Sequence, residues 1–321
     1  VKFLSTDGNR VFGAGSWETG GFNSRVWYSP VLGDADIGDD ERYVNSLTQQ
    51  NFIDLNENDG GYITAISFPI QGSIYVFKYR QIHKLTPTGD VDTPYLPYEV
   101  SRLIGCVSQR SLRIGEDQTG RPCLYFMSAQ GPYRLGVNGL EYLGMDLEDI
   151  LETINYEATI TVAHSLYYGP KKQWLLWLAT GASNDADTIA VLNTRVGTPT
   201  GEGVRGGWAI YDGDYAASRT ATQFANTLGA TMSKKLKPYI GRIATNSVHK
   251  GDTAATSDNG VAFRAYIQTK TYAPAGDGNK FVFDLYPTLV SAVGSGVSIR
   301  VQIVRDYGLE TATADVVITA T

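Results

Sequence analysis

The sequence predicts an all-β protein, a β-propeller of about six to seven blades with one short helix. Three observations carry that prediction. The 321 residues include 35 Gly and 20 Tyr against 3 Met and 2 Cys, a composition suited to short strands and tight turns. Runs of β-branched and aromatic residues alternate with polar Gly/Asn/Asp turns. Strand centres fall near Trp27, Tyr75, Tyr125 and Leu176, about 48 to 51 residues apart, the repeat length of a multi-stranded blade. Length points the same way, since ~300 residues is the upper end for one core unless the architecture repeats.

The elements follow in chain order. Ile74-Tyr75-Val76-Phe77-Lys78 and Ile82-His83-Lys84-Leu85 flank the turn Tyr79-Arg80-Gln81. Cys123 to Met127 and Tyr133 to Leu135 flank Ser128 to Pro132, and Trp174 to Ala179 and Thr188 to Leu192 flank Gly181 to Asp185. Each unit reads as a hairpin. Between the last two, Leu147, Ile150, Leu151 and Ile154 recur at i, i+3, i+4 and i+7. That spacing predicts an amphipathic helix from Met145 to Asn155, capped by Asp146 and packed between two repeats. Gly207 to Gly213 reads as a strand entering a turn. Lys237 to Ile243 and Val261 to Ile267 read as a further pair joined around Lys250-Gly251-Asp252. Residues 1–275 are assigned to the propeller. Residues 276–321, with strands at Phe281 to Leu285, Val297 to Val304 and Val316 to Ile318, form either a last blade or a small appended β-sandwich.

The charge excludes several functions. With 27 Lys+Arg against 33 Asp+Glu the net charge is −6, the wrong sign for a surface that grips nucleic acid or an anionic membrane. The apolar run Trp174 to Ala179 is far short of the ~20 residues that span a bilayer. Val1 to Asp7 lacks the apolar core of a signal peptide, and the absence of an initiator Met reads as a processed or partial chain. Two cysteines cannot build a disulfide framework, so Cys106 and Cys123 read as reduced, buried thiols.

No motif carries catalytic chemistry. Asp34-Ala35-Asp36-Ile37-Gly38-Asp39-Asp40-Glu41 superficially suggests a calcium loop, but its glycine stands at the fifth place and no glutamate at the twelfth. It reads as a solvated acidic loop. Gly201-Glu202-Gly203-Val204-Arg205-Gly206 fits a dinucleotide-type glycine pattern by letter. It precedes a strand rather than a helix N-terminus, so it reads as a hairpin loop. His83, His164 and His249 lie about 80 residues apart with no ligand-spaced partner, leaving zinc nothing to nucleate on. Glycosidase carboxylate pairs are spatial and stay open. Lys234-Lys235-Leu236-Lys237 reads as a solvated turn before a strand. No catalytic, cofactor-binding or metal-ligating residue is assigned, and no cofactor is expected.

A family resemblance emerges from the order of segments. Gly8-Asn9-Arg10-Val11-Phe12-Gly13-Ala14-Gly15 leads to Ser24-Arg25-Val26-Trp27-Tyr28-Ser29, then to Phe52-Ile53-Asp54-Leu55 with Asn58-Asp59-Gly60-Gly61. Ile63-Thr64-Ala65-Ile66, Gly72 to Lys78, Gly105 to Ser111 and Leu124 to Ser128 follow. The succession resembles the β-propeller tail proteins of short-tailed bacteriophages, the nozzle or tail-hub type, most clearly over residues 8–155. The resemblance implies a virion structural protein rather than an enzyme, assembled in the host cytoplasm into a homo-oligomeric ring, a hexamer. Adaptor and fibre proteins would dock on it, and genome DNA would pass through its lumen without specific binding. Family members are often longer, so the chain is either the propeller portion or a compact relative. The competing readings are a carbohydrate-binding or carbohydrate-degrading propeller, motivated by Trp174/Trp177 and Tyr167/Tyr168, and a bacterial propeller acting as enzyme or scaffold.

Overall fold

A computed structural model describes residues 1–16, 22–31, 51–56, 59, 61–90, 92–196, 198–199, 204–205, 207–211, 218–225, 236–243, 247–251, 257–258, 261–262, 297–305 and 310–318. The chain divides into two compact units, Val1–Arg264 and Ala265–Thr321. The all-β expectation holds. The described part of the first unit consists of antiparallel sheets whose neighbouring strands follow one another along the chain, apart from one two-stranded pair inserted before the last strand of the fourth sheet. Sheet one holds β1 (Phe3–Thr6), β2 (Val11–Ala14), β3 (Arg25–Tyr28) and β4 (Phe52–Asp54). Sheet two holds β5 (Ile63–Ile66), β6 (Ile74–Lys78), β7 (Ile82–Pro87) and β8 (Tyr95–Ser101). Sheet three holds β9 (Arg113–Glu116), β10 (Pro122–Ser128), β11 (Gly131–Gly136) and β12 (Gly139–Tyr142).

Two short helices follow, α1 (Glu148–Leu151) and α2 (Tyr156–Val162). Sheet four then takes β13 (His164–Tyr168), β14 (Gln173–Leu178) and β15 (Thr188–Asn193). After the two-residue pair β16 (Thr198–Pro199) and β17 (Val204–Arg205) it is completed by β18 (Trp208–Tyr211). Sheet five holds β19 (Ser218–Ala225), β20 (Leu236–Arg242) and β21 (Val248–Lys250). The pair β22 (Ser257–Asp258) and β23 (Val261–Ala262) ends the described part of this unit. Among the described residues the second unit shows one long hairpin, β24 (Val297–Arg305) with β25 (Glu310–Ile318).

Local chemistry explains the hairpins. Gln71 and Gly72 both take positive φ, 51° and 75°, between Ile70 and Ser73, which exchange both backbone hydrogen bonds. That is the two-residue turn whose twist matches antiparallel strands. The third hairpin is tighter than its sequence predicts: Ser128 already faces Gly131, so only Ala129 and Gln130 turn and Pro132 lies within β11.

The sheets stack face to face in chain order because the second strands are apolar on both sides. Along β6, Ile74 and Val76 pack with Phe12, Val26 and Tyr28 of sheet one, whereas Phe77 packs with Leu124 and Phe126 of sheet three. Along β10, Cys123, Tyr125 and Met127 take the opposite side, against Trp174 and Leu176 of sheet four. Along β14, Leu175 and Trp177 turn from that cluster to Ala221 and Ile240 of sheet five. A period of two, with each face covered by another sheet, is the packing these runs require. The first strands converge as well: β1 lies against β5, β9 against β13, and β13 against β19.

Three expectations need correction. Tyr75, Tyr125 and Leu176 do occupy second strands of successive sheets, but Trp27 lies on the third strand of sheet one. The long connection from Tyr28 to Phe52 makes that first interval coincide by chance. The helix expected over Met145 to Asn155 is one turn, α1, with Leu147 at its N-cap rather than Asp146. Beyond it the chain is pulled onto sheet four, where Ile154 bridges Thr180 and the Asn155 N–H donates to the Ala179 carbonyl. Asn155 then caps α2, its Oδ1 accepting from the Ala158 N–H at 3.2 Å. Leu147 and Ile154 still pack between sheets three and four, so the apolar stripe does its work without a continuous helix. Lys237 to Arg242 pairs with β19 and β21, whereas of Val261 to Ile267 only Val261 and Ala262 are among the described residues, and they pair with β22. No described helix is long and apolar enough to cross a membrane.

Candidate functional site

Several of the polar side chains buried in the first unit lie where the first strands of neighbouring sheets meet. Each of the four seams carries a hydroxyl that crosses it. Ser5 Oγ on β1 donates to the Ser67 carbonyl at 2.7 Å, and Thr64 Oγ1 on β5 donates to the Cys106 carbonyl at 2.6 Å. Ser165 Oγ on β13 donates to the Ser111 carbonyl at 2.7 Å. At the fourth seam Ser218 Oγ, at the start of β19, meets His164 Nε2 at 2.9 Å. All four hydroxyls are buried, so each bond offsets the cost of taking its groups out of water. Gln109 reinforces the second seam, its Oε1 accepting from the Ile66 N–H at 2.7 Å and its Nε2 donating to the Ile66 carbonyl at 3.1 Å.

The fourth seam alone pairs a hydroxyl with a base. His164 Nδ1 stands 2.9 Å from the Val162 carbonyl, which can only accept. That fixes the tautomer: Nδ1 carries the proton and donates, while Nε2 accepts from Ser218. The imidazole stacks on the Trp177 indole at 4.9 Å between centroids and 14° between planes. Burial pushes its pKa down to about 4, with Arg113 and Arg110 adding to the depression and the hydrogen bond to Val162 opposing it. A neutral imidazole bonded to a serine hydroxyl has the first two members of a nucleophilic triad. Here the third partner is a backbone carbonyl rather than a carboxylate, and Ser218 and His164 are 0% and 1% exposed. No substrate carbonyl can reach the hydroxyl, so the pair joins two sheets.

The other reactive groups are equally enclosed. His83 lies within sheet two, 2% exposed, with Nε2 3.2 Å from Gln81 Oε1. Burial lowers its pKa, and Lys78 lowers it further. His249 is on β21 beside Ser247, so the three histidines occupy three different sheets. Both thiols are free and buried, as expected, on opposite sides of sheet three. Burial pushes Cys106 up to about 11 and Cys123 up to about 12. Neither forms a thiolate at neutral pH. Several carboxylates have basic partners: Asp54 binds Arg25, Glu116 binds Lys172, and Glu141 binds Arg134. Among the described residues no group of three His, Cys, Asp or Glu could hold a metal ion.

The aromatic residues that motivate a sugar platform are core residues. Trp174 and Trp177 are fully buried and face opposite sides of β14, as the three-residue spacing predicts, and Tyr167 and Tyr168 are buried beside them. Tyr125 stacks between Tyr167 and Trp174, at 6.0 and 5.1 Å. The acidic loop 34–41 lies outside the described residues, as do residues 234–235 of the basic cluster, after which β20 begins at Leu236. Of the glycine-rich segment, Val204 and Arg205 pair with Thr198 and Pro199. The seam hydroxyls and the Ser218–His164 pair escape sequence reasoning, because their partners lie 42 to 62 residues away. No family model matches the chain, and no curated protein matches it.

Proposed function

We propose that the stacked sheets close into a β-propeller of about six to seven blades. On this reading the chain is a non-enzymatic structural protein of a short-tailed phage tail. It assembles into a homo-oligomeric ring of nozzle or hub type, docks adaptor or fibre proteins and conducts the genome. The observation that carries the reading is the seam pattern. Five consecutive sheets stack in chain order, with first strands converging and a buried Ser or Thr hydroxyl crossing each seam. Such packing makes a rigid block whose inter-sheet surfaces are already consumed, and oligomer contacts then fall to its ends and outer strands. The non-enzymatic part is supported by the enclosure of the Ser218–His164 pair and by the raised thiols. The acidic balance suits a conduit that gives moving phosphates little to hold.

Negative-stain electron microscopy with light-scattering mass measurement tests the proposal. Closed rings of defined copy number, or density on a tail, are the expected result. A stable monomer that binds or cleaves a polysaccharide would overturn it.

A further inference from the structure

The fourth seam differs from the other three in the chemistry of its crossing bond. Ser5, Thr64 and Ser165 each donate to a backbone carbonyl, which does not titrate. Ser218 instead bonds an imidazole, and it is also the residue that joins β19 to sheet four: its N–H donates to the Ala186 carbonyl at 3.3 Å. We propose that His164 is an acid-sensitive latch, and that protonating its buried ring releases β19 and β20 from sheet four while the other seams hold.

The surroundings of the ring make the added charge costly. The charged groups that bear on it are guanidiniums, Arg113 on β9 and Arg110 on the turn before β9. From the sheet-four side it meets the Trp177 ring and, beyond it, Ile189; from α2 it meets Val162. Among the described residues no carboxylate contributes to its titration. A proton from solvent would bind Nε2, and the Ser218 hydroxyl would turn to accept the new N–H. The hydrogen bond survives, but a cation is left in a buried seam under the repulsion of Arg113 and Arg110. The seam relieves that cost by opening to water. His83, the other enclosed histidine, is different: Glu99 and Asp59 offset Lys78 around it, and its partner Gln81 is on its own sheet.

With a folded pKa of about 4 against 6.5 in the open seam, the opening equilibrium rises about twentyfold between pH 7 and pH 5. Amide hydrogen exchange of the full chain, corrected for the intrinsic pH dependence of exchange, measures it. The expected result is about twentyfold faster exchange in β19 and β20 at pH 5, with β10 and β11 unchanged and the response abolished in His164→Gln. Equal loss of protection in β10, no change in β19 and β20, or an undiminished response in His164→Gln would each overturn the latch. Should that variant not fold, carbon-13 NMR titration of the His164 ring in the unmodified chain decides. A midpoint near 4 supports the proposal, and one at or above 6.5 overturns it.

Discussion

Gly115 illustrates how much a single residue is asked to do where sheets meet. A Cβ there would lie 2.5 Å from Tyr167 Cδ2 and 2.8 Å from Tyr125 Cε2, inside a stack of two buried rings. Neither ring can give way, since both belong to the cluster between sheets three and four. Gly115→Ala is therefore expected to cost about 1–3 kcal/mol, read as a lower urea midpoint with an unchanged slope. An unaltered midpoint would mean that the rings move freely. At this scale the sequence was partly legible. Alternation along Trp174-Leu175-Leu176-Trp177-Leu178 placed the two tryptophans on opposite faces, because period-two geometry follows from the backbone alone. That Gly115 must stay bare was not legible, since the ring above it arrives from 52 residues further along the chain.

Among the elements, α2 rests on one polar side chain. Asn155 caps it through Oδ1, while its Nδ2 donates to the Ser183 carbonyl at 3.0 Å. Asn155→Ala should cost about 1 kcal/mol and speed amide exchange in Tyr156–Val162. Asn155→Asp keeps the cap and loses only the bond to Ser183, so it should recover most of the helix protection. The sequence located apolar contacts at Leu147 and Ile154 but not the break between the helices. The break comes from the Asn155 N–H donating to the Ala179 carbonyl and the Gly181 N–H donating to the Thr153 carbonyl, partners outside any local window. β19 was invisible for a related reason: Ser218-Arg219-Thr220-Ala221-Thr222 has no apolar alternation, and among its described side chains only Ala221 joins the seam cluster. The outer strand β8 carries its own safeguard. Thr88 N–H donates to the Pro94 carbonyl, which sets the ladder alternation and aims the Pro97 nitrogen away from β7. A missing donor in the middle of that edge blunts pairing with another strand, although Leu96 and Tyr98 are exposed there.

For the whole molecule, the titrating groups predict a one-sided acid response. His164 is held below its ordinary 6.5, so the unfolded chain binds the extra proton and stability is lost as pH falls from 6.5 toward 4. Asp7 is a second case. Burial raises its pKa, but the Tyr95 hydroxyl and the N–H groups of Arg10 and Asn9 outweigh that and hold it below 3.8. Its contribution is present above 3.8 and lost below. The urea midpoint should therefore fall in two stages on acidification, the first diminished in His164→Gln, where the lowered pKa of His83 still contributes. A midpoint that rises between pH 7 and pH 5 would contradict the assignment.

The second strands have a consequence for how such a chain can change length. Odd and even residues of β10 belong to different clusters, Cys123, Tyr125 and Met127 to one and Leu124 and Phe126 to the other. Inserting one residue there would exchange the memberships, as a frameshift exchanges codons, and spoil two seams at once. The connection from Tyr28 to Phe52 is long, yet β3 and β4 pair in regular register on either side of it. Insertions and deletions in related chains should thus fall between third and fourth strands, leaving the second strands of constant length.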